Sequence, residues 1–345
     1  MKKLLGLCLM TLGLAAAMGN SASAELLRFK GRDGVGKGKK IVLISGDEEY
    51  RSEEAMPMLA KILSQHHGFD CIVLFTMHPE KGYIDPYNQN NLPGLEELDD
   101  ADLMIVFTRF RTPSKGMEHV EKYLDAGKPV IGLRTATHGF RGKWGYFGLQ
   151  ILGERWVAHH GGHKREGCRG IVEEANAKHP VLNSVEDVFA PSDVYAVRNL
   201  DEKKATVLLR GAVTKTLDPK SEFVEGKKNE PMQALAWLRE YTSPGGGKGQ
   251  AFCTTMGAAV DLVSDDARRI VVNASFYLTG LEVPKKSDVS FVDPFYPSFY
   301  GFVKNPDFFA ARNLKPEDFA LGKTPVAKDP PGSPKWPFRE MGPKK

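Results

Sequence analysis

Lys40-Ile41-Val42-Leu43-Ile44-Ser45-Gly46-Asp47-Glu48-Glu49-Tyr50-Arg51 is an unbroken apolar run that ends in a small-residue turn and a burst of charge. A run without alternation fits a strand covered on both faces, as in a parallel sheet. Ser52 follows as an N-cap, and Ala55, Leu59, Ile62 and Leu63 recur at helical spacing until Gly68. Pro57 is tolerated only in the first turn of a helix, so this helix is expected to start a few residues after Ser52.

Outward from this unit the alternation repeats. Residues 71–75, 103–107 and 129–133 read as strands, with an Asn- and Pro-rich loop over 78–93 and a helix over 117–124 closed by Gly127. The pattern predicts an α/β domain with a parallel sheet and helices on both faces. Shorter strands are expected at 170–172, 194–197, 205–209, 234–237 and 250–254, the last two joined by a turn at Gly245-Gly246-Gly247. A final helix over 265–278 carries Ile270, Val271, Ala274 and Leu278 on one face. The expected organisation is a signal peptide over 1–24, a linker over 25–39, one domain over 38–283 and a Pro- and aromatic-rich C-terminal extension over 284–345. That extension is read as a strap folded back on the domain, disordered at its end, in preference to a tail that docks a partner.

The N-terminus begins with Lys2-Lys3, continues with a short apolar stretch and ends in Ser21-Ala22-Ser23-Ala24. This is the pattern of a secretory signal cut before Glu25, and it predicts a periplasmic or extracellular protein. The apolar stretch falls short of the roughly 20 residues of a spanning helix, and Cys8 has too little before it for a lipoprotein signal. The 345 residues are 41% hydrophobic and 26% charged, and the net charge of +4 drops to +2 without Lys2 and Lys3. So small an excess gives no nucleic-acid footprint. Without Cys8 the cysteines are Cys71, Cys168 and Cys253, so at least one thiol stays unpaired. Cys71 and Cys253 read as buried, inert thiols. There is no motif for a haem, nicotinamide or flavin cofactor.

In open α/β sheets ligands bind beyond the carboxyl ends of the strands. Those loops carry Asp47, Glu48, Glu49, Tyr50 and Arg51, then Arg109 and Arg111, then Arg134 and His138, then Thr255-Met256-Gly257. Arg and carboxylates can both bind polyols or carboxylates bidentately. Four of the nine histidines, His138, His159, His160 and His163, lie within one short stretch. Two readings stand for them. One is a divalent metal site, zinc first, held by His159, His160 and His163 with Glu154 or Cys168 as further ligands. The other is a polar loop whose imidazoles bond sugar hydroxyls or backbone. Trp144, Tyr146 and Trp156 are candidate stacking surfaces, with core packing favoured for Trp156.

Lys40 to Gly46, Ala101-Asp102-Leu103-Met104-Ile105-Val106, Gly127-Lys128-Pro129-Val130-Ile131-Gly132-Leu133, His179-Pro180-Val181, Phe252 to Gly257 and Arg268 to Ala274 together resemble the ThuA-like (trehalose-utilisation) family over about 38–283. The resemblance implies a three-layer α/β/α flavodoxin-like fold, similar to class I glutamine amidotransferases, with a mostly parallel sheet. Such enzymes carry a nucleophilic Cys on a sharp turn after a central strand. Here Gly132-Leu133-Arg134-Thr135-Ala136 occupies that stretch, with Arg134 at the nucleophile position, and Met256-Gly257-Ala258-Ala259 stands where the partner His is expected. Arginine stays protonated and cannot attack a carbonyl, so glutaminase chemistry by that route is excluded.

The resemblance also implies a sugar substrate, trehalose-type or a 3-keto glycoside. In the enzyme reading, a hydrolase or lyase, Glu48 or Asp47 serves as acid or base. His138 and His160 move protons or hold a metal, and Tyr50, Arg109 and Arg134 orient the substrate. The alternative is a non-catalytic carbohydrate-binding or assembly module on an old enzyme fold.

Overall fold

The structure, a computed structural model, describes residues 26–336. The signal-peptide reading of 1–24, with Cys8, and the expected disordered end beyond 336 lie outside the described residues. Ten strands form one mixed sheet: β1 (Leu27–Phe29), β2 (Lys40–Gly46), β3 (Asp70–Phe75), β4 (Leu103–Thr108), β5 (Val130–Leu133), β6 (Cys168–Val172), β7 (Val188–Ala190), β8 (Ala205–Val213), β9 (Gln233–Thr242) and β10 (Lys248–Thr254). Their order is β1-β3-β2-β4-β5-β10-β9-β8-β6-β7. The five central strands, β3 to β10 in that order, are parallel. An antiparallel wing of β9, β8, β6 and β7 continues the sheet on one side, and β1 closes the other.

The uninterrupted apolar runs are buried on both faces, for the reason read from the sequence. Ile41, Leu43, Ile105, Phe107 and Ile131 pack on one side with α1 (Ser52–Gln65) and α3 (Asp265–Leu278). Val42, Ile44, Met104, Val106 and Val130 pack on the other with α2 (Met117–Asp125) and the 147–152 turn. Cys71, Cys168 and Cys253 are free and buried, and burial raises all three thiol pKa values.

Four local expectations are corrected. Within the expected linker, Leu27–Phe29 pairs with β3 because Leu27 and Phe29 can bury on the sheet edge. Helix α1 starts at Ser52 and keeps Pro57 inside it; Pro57 has no N–H, so the Glu53 carbonyl forgoes one helical bond. Ser52 is not the cap: its hydroxyl accepts from the Asp47 N–H and bonds Ser45 Oγ, and the cap position is Arg51. The stretch 194–197 is not a strand of the sheet. Its backbone pairs with the histidine loop instead, through His160 N to Val194 O (2.8 Å) and Ala196 N to Ala158 O (2.9 Å).

Residues 284–336 return over α1. Phe295, Phe299, Tyr300, Phe319 and Trp336 join the core on that side, and Glu54 accepts from Ser298 N and Oγ at 2.7 and 2.8 Å. Arg312 reaches Glu53 and Glu54 at 3.0 and 3.1 Å.

Candidate functional site

The chain leaves β2 toward β3 on one side and returns to β4 on the other, so a crevice opens between the ends of β2 and β4. Gly46 and Thr108 are the last pair there. The loops that follow β2, β4 and β5 each hold a non-glycine residue in the left-handed region: Arg51 (φ 62°), Phe110 (52°) and Arg134 (46°). Such strain persists only where surrounding contacts enforce it, and it concentrates at functional sites.

After β2, Asp47 organises the turn. Its carboxylate accepts from the backbone N–H of Glu49 (2.7 Å) and Tyr50, and from Thr135 Oγ1 (2.5 Å). The side chains of Glu48 and Glu49 are thereby sent to different partners. Glu48 is held by Arg109 (2.6 Å) and by the wholly buried Arg111. Glu49 has looser company: its carboxylate oxygens lie 3.5 Å from His163 Nε2 and 3.7 Å from Arg109 Nε. Burial, with the nearby Asp47 charge, pushes the Glu49 pKa up to about 8, so it holds a proton at neutral pH.

After β5, Arg134 sits wholly buried on the sharp turn. Its guanidinium donates to the carbonyls of Asp193 (2.6 Å) and Thr255 (2.7 Å), to Tyr50 Oη (3.2 Å) and to Asp193 Oδ1 (3.1 Å). It lies between the rings of Tyr50 and Tyr195, 4.5 and 3.8 Å from their centroids. Its job in this position is to carry Asp193.

Asp193 is the centre of the cluster. Nδ1 of His159 lies 2.7 Å from its Oδ2 and Nδ1 of His163 3.1 Å from its Oδ1. Burial opposes the Asp193 charge, but Arg134 and the two imidazoles outweigh it and hold the carboxyl below the usual carboxylate range. Burial lowers the His163 pKa, and Asp193 only partly restores it. One consistent proton arrangement follows: His163 Nδ1–H donates to Asp193, and protonated Glu49 faces Nε2. The ligand atoms of His159, His163 and Asp193 lie within 4.8 Å of one another. Two imidazoles and a carboxylate are a donor set that suits zinc and other divalent metals.

Several candidate residues are corrected by this geometry. His160 is turned away, with Nε2 on the Lys228 carbonyl at 2.8 Å, because its backbone is paired to Val194; the third donor beside His159 and His163 is Asp193. Glu154 is spent on Arg198 N, Asn199 N and Arg155 N, and Cys168 is sealed in the core; neither joins the histidines. Asp47, Tyr50 and Arg134, expected to bind substrate, are fully buried and spent on protein partners, Asp47 within its turn and Tyr50 on Arg134, which itself holds Asp193 and Thr255. Glu48 is occupied by its two arginines, and Glu49 is the carboxyl left with the looser partners, Arg109 and His163. His138 packs its ring on Phe110 (4.7 Å) and Trp156 (5.7 Å). Burial and the surrounding arginines lower its pKa to about 3, so it stays neutral. Trp144 donates to Glu121 on the α2 side, and Tyr146 packs there too. Trp156 is 38% exposed and stands beside His138 and His159, not in the core.

The local sequence pattern does not disclose Asp193, Glu49 or Tyr195 as members of this cluster. Glu49 was visible among the strand-end acids, but nothing in the sequence separates it from Glu48. Asp193 sits just ahead of a segment that reads as an ordinary strand.

The raised Glu49 pKa has a testable sign. The folded protein binds this proton up to about pH 8, and the unfolded chain releases it near the ordinary Glu value of about 4.3. Between those limits the folded state binds more protons, so stability falls as pH rises and levels off above about pH 8. Glu49→Gln imitates the protonated form. Urea denaturation is expected to show the variant gaining on the wild type from pH 5 to pH 9; a constant difference would mean that Glu49 titrates normally.

A family model described as "ThuA: Trehalose utilisation" matches residues 40–278. Among solved structures, the chain resembles a ThuA-like protein from Bacteroides uniformis at 14% identity, covering 72% of this chain and 95% of that one with a TM-score of 0.46. It also resembles a ThuA-like protein from Parabacteroides merdae at 13% identity, covering 72% and 93% with a TM-score of 0.48. No curated protein matches the chain.

Proposed function

This chain belongs to the ThuA (trehalose utilisation) family, and on that premise we propose that it acts on a trehalose-type sugar or a 3-keto glycoside in the crevice at the strand ends. The observation that carries the reading is the convergence of His159 and His163 on the buried Asp193, with protonated Glu49 on the far ring nitrogen of His163. His159, His163 and Asp193 would hold a divalent ion, which when bound supplies a water ionised near neutral pH. Glu49 is placed to give its proton to a leaving oxygen, and the proton that the attacking water loses returns to the carboxylate left behind. Arg109, side-on to both Glu48 and Glu49, offers donors to sugar hydroxyls. The reaction class is hydrolysis or elimination at a glycosidic bond. The signal-peptide pattern of 1–24 supports export as part of the same reading.

Replacement of the fold's usual nucleophile by Arg134 favours a second reading, a carbohydrate-binding module without turnover. Metal content and turnover separate the two. Purified protein loaded with Zn2+ and desalted is expected to retain about one ion per chain by elemental analysis, and Asp193→Asn and His163→Ala to lose it, since each removes one of the three donors. The wild type is expected to cleave trehalose or its 3-keto derivative, and Glu49→Gln to lose that activity while keeping the metal. Retention of no ion would sink the metal role. Binding of sugar without turnover would leave the module reading.

A further inference from the structure

We propose that the segment after the family domain supplies a wall of this site, and that Phe302 on it is a substrate-stacking, specificity-determining residue; the proposal rests on the sugar reading above. The family-matched region ends at residue 278, yet the chain at 298–302 is tied to the β2 loop. Gly301 N–H donates to the Glu49 carbonyl at 2.7 Å, and the buried Arg51 donates to the Gly301 carbonyl at 2.8 Å. Gly301 has φ 136°, a backbone conformation that L side chains rarely adopt, so the turn that makes this tie favours glycine.

That tie places two rings. Tyr300 stacks on Tyr50 (5.1 Å) and meets the His163 ring edge-on (5.3 Å). Phe302 lies over Arg109, whose guanidinium carbon is 4.7 Å from its centroid and 4.8 Å from that of Phe110. From Phe302 a continuous run of flat side chains passes through Arg109, Phe110, His138 and Trp156 to His159, and from there through His163 back to Tyr300. Glu49 is in reach of two members of this circuit, Arg109 and His163.

Within the circuit Phe302 and Trp156 are the large apolar rings left exposed, 53% and 38%. Core packing does not explain either. A ring exposed beside charged donors suits a ligand with apolar C–H faces and polar edges, which is the chemistry of a pyranose. Because Phe302 lies outside the matched domain, chains sharing that domain can differ in which sugar they accept.

The test measures trehalose and 3-keto-trehalose binding by calorimetry on full-length wild type, Phe302→Ala, Phe302→Tyr and Trp156→Ala. An aromatic contact of this size predicts about a three- to tenfold weaker Kd for Phe302→Ala and for Trp156→Ala, with Phe302→Tyr within about twofold of wild type. Melting temperatures are expected to stay level, since both rings are exposed. Sugar binding that is unchanged in Phe302→Ala would overturn the stacking role and leave the sugar reading intact. Failure of the wild type to bind either sugar would overturn both.

Discussion

Arg134→Ala is expected to cost about 3–5 kcal/mol of folding stability, the range for removing one partner of a buried ion pair. The guanidinium is wholly buried and makes four hydrogen bonds, two of them to Asp193. Without it, Asp193 keeps its burial but loses the fixed positive charge that offsets it, and two carbonyls lose their donor. Arg134→Lys is expected to rescue only part of the loss, because one ammonium cannot reproduce the planar fork. The double variant Arg134→Ala with Asp193→Ala is expected to be less destabilised than the two single losses added together, since no uncompensated charge is left. Urea denaturation of the wild type, the three single variants and the double variant checks this. Additive losses would mean that Arg134 and Asp193 stabilise the fold independently, and the account of the elbow as the carrier of Asp193 would fail.

Deleting residues 285–345 is expected to abolish cooperative folding at 37 °C. The deletion removes Phe295, Phe299, Tyr300, Phe319 and Trp336 from the core. Each buried aromatic is worth about 1.5–3 kcal/mol, against a total stability of about 5–15 kcal/mol for a typical domain. It also strips Arg312 and Ser298 from Glu53 and Glu54, leaving two buried carboxylates on α1 without those partners. Circular dichroism during a thermal melt is the measurement. A sharp transition within a few degrees of full length would show that the segment is dispensable for the fold, and would turn attention back to a partner-docking role.

These expectations show how unevenly the sequence discloses the molecule. The 265–278 helix and the four strands of the parallel centre that precede the wing were legible to within a few residues, because burial on both faces of a sheet demands uninterrupted apolar runs such as Ile41 to Ile44. Residues 194–197 have the same local composition as a strand, yet they pair with 158–161. Nothing local distinguishes an apolar run that joins the sheet from one that pairs with a loop.

The site divides in the same way. Histidine density and the rule that ligands gather at strand ends pointed to His159, His163, Arg109 and Arg134. Choosing between Glu48 and Glu49 needed coordinates. The two neighbours differ by one position in a turn held by Asp47, and that difference hands one to Arg109 and Arg111 and leaves the other beside His163. Asp193 and Phe302 are separated from the β2 loop by well over a hundred residues, and only chain folding brings them to it. By itself, then, the sequence determined the α/β class and the strand ends at which acids, arginines and histidines gather, because these follow from residue type and local periodicity. The tertiary structure decided which carboxyl is raised above its ordinary pKa, which residue joins the histidines and which distant ring lies over Arg109, because burial and charge pairing are properties of long-range neighbours.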